Sequence, residues 1–106
     1  MSIEPGQPAP GFTMQTDGGG EVSLKALRGK KVVLYFYPKD DTSGCTKEAC
    51  AFRDSMAAFA EADTVVIGVS PDGVASHDRF KTKYGLPFAL GSDPDHAVAE
   101  AYGAGV

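Results

Sequence analysis

The two cysteines of the chain, Cys45 and Cys50, lie five positions apart in the segment PKDDTSGCTKEAC, which covers residues 38–50. A cysteine thiolate is a nucleophile, and two neighbouring thiols can be oxidised to a disulfide. Thr42 lies three residues before Cys45, where its hydroxyl can donate a hydrogen bond to the sulfur. These residue types and spacings predict thiol chemistry centred on Cys45.

The thiolate of Cys45 is expected to be stabilised by two modest effects. Cys45 is predicted to open a helix, and a helix N-terminus favours an anion by about 0.3–1 kcal/mol. A hydrogen bond to a charged group contributes about 1.5–3 kcal/mol, and Thr42 is the expected donor. We expect the helix and Thr42 to be needed together.

The spacing of the two cysteines argues against a disulfide within an intact helix. Five helical residues rise about 7.5 Å and turn about 140°, which places the two Cα atoms roughly 8–9 Å apart. A disulfide requires about 7 Å or less, so the first turns of the helix would have to unwind. Two structural core thiols remain an alternative. A zinc site is not expected, because His77 and His96 are distant in sequence and fall on different predicted helices.

Alternating apolar runs and helical patterns surround this segment and predict an α/β domain with a largely parallel sheet. The helix after Cys45 has an apolar stripe that includes Ala49, Phe52 and Met56. Five strands are predicted: residues 12–16 and 21–24, which form a hairpin, and residues 31–37, 64–70 and 86–92. The apolar run at 31–37 is continuous, which is typical of a strand covered on both faces. The predicted helices are residues 46–62, 72–84 with Asp72 as N-cap and Gly85 as stop, and 93–103.

Composition limits the classes of function. The chain has 106 residues, 42% of them hydrophobic, and a formal net charge of −4, which indicates one globular domain and makes nucleic acid a poor partner. The longest apolar run is too short to span a membrane, and no secretory signal is visible. We therefore expect a cytoplasmic protein whose cysteines are reactive rather than permanently paired.

Four other polar residues near this segment or on the helices are predicted to have surface or packing roles rather than catalytic ones. Asp40 and Asp41 are predicted to be solvated loop charges. His77 is predicted to lie on the solvent side or flank of its helix, in a surface or packing role. Arg53 is predicted to form a surface ion pair.

The whole segment YFYPKDDTSGCTKEACAFRD, residues 35–54, resembles the active-site segment of the peroxiredoxins, specifically the peroxiredoxin Q or bacterioferritin comigratory protein subfamily. It carries the PxxxTxxC motif as Pro38, Thr42 and Cys45, with the second cysteine at Cys50. The resemblance extends over the chain through the segments GQPAPGFTM, VSLKALRGKKVVLYFYP, VVIGVSPD, SHDRFKTKYGLPF and SDPDHAVAEAYG.

The resemblance implies a thioredoxin-like fold and the reduction of hydrogen peroxide or organic hydroperoxides. Cys45 would be the peroxidatic cysteine and Cys50 the resolving cysteine of an intramolecular disulfide, with thioredoxin or a similar dithiol protein as reductant. Thr42 would hold the thiolate and the attacked oxygen, and Pro38 would shield the pocket from water. The resemblance implies no cofactor and no metal, and it suggests a monomer.

Members of that family continue beyond the AYG segment with two more strands, one carrying an arginine that pairs with the thiolate, and a C-terminal helix. The sequence ends at Val106, so residues 1–106 are expected to be a single but C-terminally incomplete domain, and Arg53 is not that arginine. Two rival functions are kept open. One is a protein dithiol–disulfide oxidoreductase, although this chain lacks the CxxC motif that is usual for that class. The other is a redox-sensitive fragment that binds other proteins without turnover.

Overall fold

The computed structural model describes residues 5–104 and confirms the predicted alternation of strands and helices. Residues 1–4 and 105–106 of the predicted domain lie outside this range. The strands are β1 (Thr13–Thr16), β2 (Glu21–Ser23), β3 (Lys31–Phe36), β4 (Thr64–Ser70) and β5 (Ala89–Ser92). The helices are α1 (Ser43–Asp54), α2 (Met56–Glu61), α3 (Val74–Tyr84) and α4 (Ala97–Ala101).

The five strands form one mixed sheet in the order β2-β1-β5-β4-β3. The β1–β2 hairpin is antiparallel and pairs through β1 with β5, also antiparallel. Strands β3, β4 and β5 run parallel, with Tyr35 opposite Gly68 and Val69 opposite Gly91. The carboxyl ends of these three strands therefore meet at one edge of the sheet, and the segments that follow them lie together.

Successive side chains of the parallel strands point to opposite faces of the sheet. Tyr35, Val66 and Leu90 belong to one core cluster, together with Cys45 and Ala49 of α1 and Phe80 of α3. The intervening residues, among them Ile67 and Val69, form a second cluster on the other face. The apolar stripe predicted for the first helix is confirmed, because Phe52, Met56 and Phe59 pack against the first cluster.

The prediction that the run after residue 30 is covered on both faces is wrong in part. Within the described residues, β3 lies at the edge of the sheet, and Val32, Val33 and Leu34 are only half-buried. Strand β4 is the more enclosed strand, since Val66–Ser70 are all buried. A continuous apolar run shows that both faces of a strand favour burial, but it does not show where the strand lies in the sheet.

All three predicted helices differ from the observed ones at their boundaries, and the last, predicted over 93–103, is the shorter α4 (Ala97–Ala101). The helix predicted over 46–62 starts at Ser43 and breaks at Ser55, whose N–H bonds to the carbonyl of Phe52 three residues back. Asp72 is not the N-cap of α3, which is Gly73, whereas Gly85 ends that helix in the left-handed conformation as predicted. Among residues 5–104, no helix is long and apolar enough to cross a membrane.

Candidate active site

Cys45 is the third residue of α1 and lies in the first helical turn. Its side chain is buried in the cluster that contains Tyr35, Tyr37 and Ala49. The first backbone hydrogen bond of the helix joins the N–H of Thr46 to the carbonyl of Thr42 at 2.8 Å. The N–H groups of residues 43–45 precede that bond, so they are the free donors of a helix start and favour an anion at Cys45.

Thr42 and Pro38 lie in the loop between β3 and α1. Thr42 is the N-cap of α1, and its hydroxyl donates a hydrogen bond to the carbonyl oxygen of Lys39 at 3.0 Å. The predicted bond from this hydroxyl to Cys45 would need a different side-chain rotamer. Pro38 is exposed one residue after the buried Tyr37. The loop therefore brings Thr42 next to the helix start and leaves Pro38 at the surface.

Cys50 lies on the same unbroken helix as Cys45, half-buried, and both thiols are free. Helix geometry separates the two Cα atoms by roughly 8–9 Å, beyond the range of a disulfide. Ala49, which shares the core-facing side with Cys45, is buried. The structure thus has the two cysteines apart and on different sides of α1, as their spacing predicts.

Asp40 is buried and anchors the loop between β3 and α1, which leads to the candidate active-site residue Cys45, so its predicted role as a solvated charge is wrong. Its carboxylate accepts hydrogen bonds from the Tyr37 hydroxyl at 2.6 Å and from the Ser76 hydroxyl at 2.8 Å. Its backbone N–H donates to the carboxylate of Asp72 at 2.7 Å. Because Asp40 lies only five residues before Cys45, these bonds fix the start of the loop that leads to the cysteine.

His77 completes this network, so of its predicted roles the packing role is confirmed and the solvent-side position is wrong. Its side chain is 0% exposed, not on the solvent side of α3. Nδ1 lies 2.7 Å from the Asp40 carboxylate, and Nε2 lies 3.0 Å from the carbonyl oxygen of Gly91 in β5. Helical periodicity places His77 on the flank, and nothing in the sequence indicates that a partner 37 residues away draws the ring inward.

Burial and hydrogen bonding shift the pKa values of Asp40 and His77 in opposite directions. Burial raises the pKa of Asp40, but the hydrogen bonds from His77, Tyr37 and Ser76 outweigh it and hold the pKa below its usual value. Burial lowers the pKa of His77, and the hydrogen bond and charge of Asp40 raise it above the usual value. The network therefore favours a carboxylate beside an imidazolium.

A second set of contacts joins the loop to the end of α3. Asp41 has a left-handed backbone with φ of 59°, and its carboxylate accepts hydrogen bonds from Lys83 at 2.7 Å and from the Tyr84 hydroxyl at 2.6 Å. Arg53 donates to the carbonyl oxygen of Tyr84 at 2.7 Å and pairs with Asp54 at the surface, which confirms the predicted ion pair. One helix end thus contacts both the loop and α1.

Tyr35 carries a buried hydroxyl that has no hydrogen-bond partner among the described residues. Its ring stacks on Phe52 at 4.5 Å and lies over Gly68, where an added Cβ would stand 2.7 Å from the hydroxyl oxygen. Burial, and then the charges of Glu48 and Cys45, raise the pKa of Tyr35. A neutral phenol therefore lies in the core beside the cysteine segment.

Two surface concavities of similar volume lie at different places on the described part of the chain. One, of about 310 Å³, borders Asp40, Asp41, Ser76, Arg79, Phe80 and Lys83, so it lies beside the anchoring residues of the loop. The other, of about 330 Å³, lies between β1 and the residues that precede α4. Neither is lined by Cys45. Within residues 5–104, no three His, Cys, Asp or Glu side chains are grouped so as to hold a metal ion.

The sequence of the chain is similar to those of known proteins. A profile of the AhpC/TSA family matches residues 5–106. A relative from Coxiella burnetii that bears the name peroxiredoxin bcp is 60% identical over 103 residues, which are 97% of this chain and 68% of the relative. Peroxiredoxin Bcp of Bacillus subtilis is 55% identical over 102 residues, 96% of this chain and 65% of that protein.

Solved structures show the same similarity. Bacterioferritin comigratory protein from Xanthomonas campestris, described in a study of alkyl peroxide reduction, superimposes with a TM-score of 0.85 at 40% identity, covering 87% of this chain and 59% of that one. This similarity confirms the predicted thioredoxin-like fold of the peroxiredoxin type. The chain spans between 59% and 68% of the length of these three proteins.

Proposed function

This chain belongs to the AhpC/TSA family, and from that membership we propose that it is a thiol-dependent peroxidase that reduces hydroperoxides through Cys45 and Cys50. The observation that carries the proposal is the place of Cys45: buried in the first turn of α1, with free N–H groups beside it and a second free thiol five residues along the same helix.

The first step is attack of the Cys45 thiolate on one oxygen of the peroxide. An S–O bond forms, the O–O bond breaks, and the leaving oxygen takes a proton to become water or an alcohol. Cys45 becomes a sulfenic acid, oxidised by two electrons. The helix N-terminus stabilises the thiolate before attack, and Thr42, after a change of rotamer, would donate to the reacting atoms. The proposed part of Pro38 is to limit access of water to Cys45.

The second step joins the two cysteines. The Cys50 sulfur attacks the sulfenic sulfur of Cys45, the S–O bond breaks, and water is released as the disulfide forms. The first turns of α1 unwind for this step, because the helix holds the sulfurs too far apart. A dithiol protein such as thioredoxin then supplies two electrons and two protons to restore both thiols.

A single-turnover reaction tests this proposal. The reduced chain is mixed rapidly with one equivalent of hydrogen peroxide, and thiol loss and intact mass are followed in the wild type, Cys45→Ser and Cys50→Ser. We expect thiol loss far faster than for free cysteine, none of it in Cys45→Ser, and an internal disulfide only when Cys50 is present. In Cys50→Ser the mass of one added oxygen should persist.

Two companion assays separate the alternatives from the peroxidase. A protein dithiol–disulfide oxidoreductase would reduce insulin disulfides and show no preference for peroxide. A redox-sensitive binding fragment would suppress aggregation of other proteins without turnover. Thiol loss at the rate of an ordinary thiol would refute the proposed peroxidase activity of these 106 residues.

A further inference from the structure

His77 joins three separate parts of the fold through a fully buried ring. The ring belongs to α3, its Nδ1 contacts Asp40 in the active-site loop, and its Nε2 contacts the carbonyl of Gly91 in the middle of the sheet. The sequence separations are 37 and 14 residues. The proposed chemistry at Cys45 makes no direct use of this residue.

The contacts of the His77 ring determine how many protons the His77–Asp40 pair holds. Both partners of His77, the Asp40 carboxylate and the Gly91 carbonyl, are acceptors. A neutral imidazole carries one N–H and one lone pair. Removal of a proton from the His77–Asp40 pair would therefore set a nitrogen lone pair against an acceptor oxygen, at 3.0 Å if Nε2 loses its proton or at 2.7 Å if Nδ1 does. Such a buried contact is repulsive and unsatisfied.

The charged groups around the ring also favour the extra proton. Asp40 faces it from the loop, and Asp72, which follows β4, adds a second negative charge. The Tyr37 hydroxyl donates to Asp40 and so contacts the same carboxylate as the ring. Asp40 and Asp72 are themselves joined, because the Asp40 N–H donates to the Asp72 carboxylate.

We propose that His77 is a positioning residue of the proposed peroxidase site: as a buried imidazolium it holds Asp40, and through Asp40 the loop that carries Thr42 and Cys45. This inference rests on the proposed function for its kinetic consequence but not for its structural content. Loss of the proton at high pH frees the ring from Gly91 or from Asp40. The link from the loop through His77 to the sheet is then broken, and Asp40 is still held by Tyr37, Ser76 and Asp72.

The protonation state is tested on the unmodified chain by nitrogen-15 NMR of its two histidines, His77 and His96. The His96→Asn variant identifies the signals of the control residue, and asparagine suits the left-handed backbone at that position. At one to two pH units above the ordinary histidine pKa of about 6.5, His77 should still show two ring N–H cross-peaks. A single N–H on the His77 ring at that pH would overturn the inference.

The positioning role is tested by the rate of Cys45 oxidation as a function of pH. In His77→Gln, which keeps one donor but carries no charge, the second-order rate constant for peroxide should fall by about 10- to 100-fold, the scale expected for a misplaced reacting group. In the wild type the rate constant should decline at high pH, in parallel with loss of the second His77 N–H. That decline should be absent in His77→Gln and unchanged in His96→Asn.

The outcomes separate the two proposals. Slow oxidation of Cys45 in the wild type, together with two N–H cross-peaks for His77, would refute the peroxidase and retain the imidazolium. Fast oxidation that is equal in wild type and His77→Gln at every pH would overturn the positioning role. If His77→Gln does not fold, the wild-type pH profile decides: a rate that does not decline as the second His77 N–H is lost would overturn the positioning role.

Discussion

Replacing Asp40 and Asp41 one at a time by asparagine should produce very different losses of stability, although the two residues are adjacent and have the same charge. Asp40 is buried and its carboxylate accepts three hydrogen bonds. The Asp41 side chain is 41% exposed and contacts Lys83 and Tyr84 at the surface. Asp41→Asn is therefore a matched control for the loss of one negative charge from the loop.

The expected magnitudes follow from burial. Breaking a buried ion pair by removal of one partner costs about 3–5 kcal/mol, because the other partner stays buried without its counter-charge. Exposed pairs contribute about 0–1 kcal/mol, and asparagine tolerates the left-handed backbone of Asp41. We expect Asp40→Asn to lower the free energy of unfolding by about 3–5 kcal/mol and Asp41→Asn to lower it far less, because solvent screens the exposed pair.

The loss should depend on pH in a defined direction. The folded-state pKa of Asp40 is lowered from 3.8, so its stabilisation is present above that value and is lost as the pH falls through the folded pKa. The folded-state pKa of His77 is raised from 6.5, so its stabilisation is complete below that value and is lost as the pH rises through the folded pKa. The difference between wild type and Asp40→Asn should be largest between these two ordinary values.

Urea denaturation measures both effects, and urea is preferred because guanidinium chloride would screen charges. With a urea m-value of about 2 kcal/mol/M for a chain of this size, the midpoint of Asp40→Asn should fall by about 2 M at constant m. The series is repeated at pH values across and beyond this window. Equal midpoints for the two variants, or a difference that does not change with pH, would refute the buried charged pair.

Three further predictions concern the neighbouring core. Tyr37→Phe should cost about 1.5–3 kcal/mol by urea denaturation because it removes a bond to charged Asp40, whereas Tyr35→Phe, which removes an unpartnered hydroxyl, should be neutral or stabilising; the reverse order would contradict the assigned contacts. Gly68→Ala should cost about 1–3 kcal/mol by overpacking against the Tyr35 ring, and an unchanged midpoint would show that the ring moves freely. Asp93→Ala should cost about 1–2 kcal/mol, since its carboxylate caps two N–H groups of α4, and unchanged far-UV circular dichroism and stability would count against that role.

Local patterns predicted the elements because each element depends mainly on neighbouring residues. The hairpin, the strand at 64–70, the apolar stripe of the first helix and the stop at Gly85 all follow from periodicity or turn chemistry. The place of Cys45 at a helix start follows in the same way from Pro38, Gly44 and the stripe that begins at Ala49.

The network around Asp40 was not predicted because its partners are remote in sequence. Asp40 is an ordinary loop residue by type, and it is buried only because the carboxyl ends of β3 and β4 bring Tyr37 and Asp72 beside it and α3 brings His77. Each contact depends on the register of the parallel strands, which no short pattern specifies.

The segment from Asp40 to Cys50 has a part whose side chains are bonded to α3 and a part that must unwind for the disulfide, and the two parts meet between Asp41 and Cys45. Before that point, Asp40 and Asp41 are bonded to α3 through their side chains. After it, Ser43, Gly44, Lys47 and Glu48 are exposed, so unwinding the first turns of α1 disturbs mainly the burial of Cys45 and Ala49. The proposed disulfide between Cys45 and Cys50 can therefore form while the contacts of Asp40 and Asp41 with α3 stay in place.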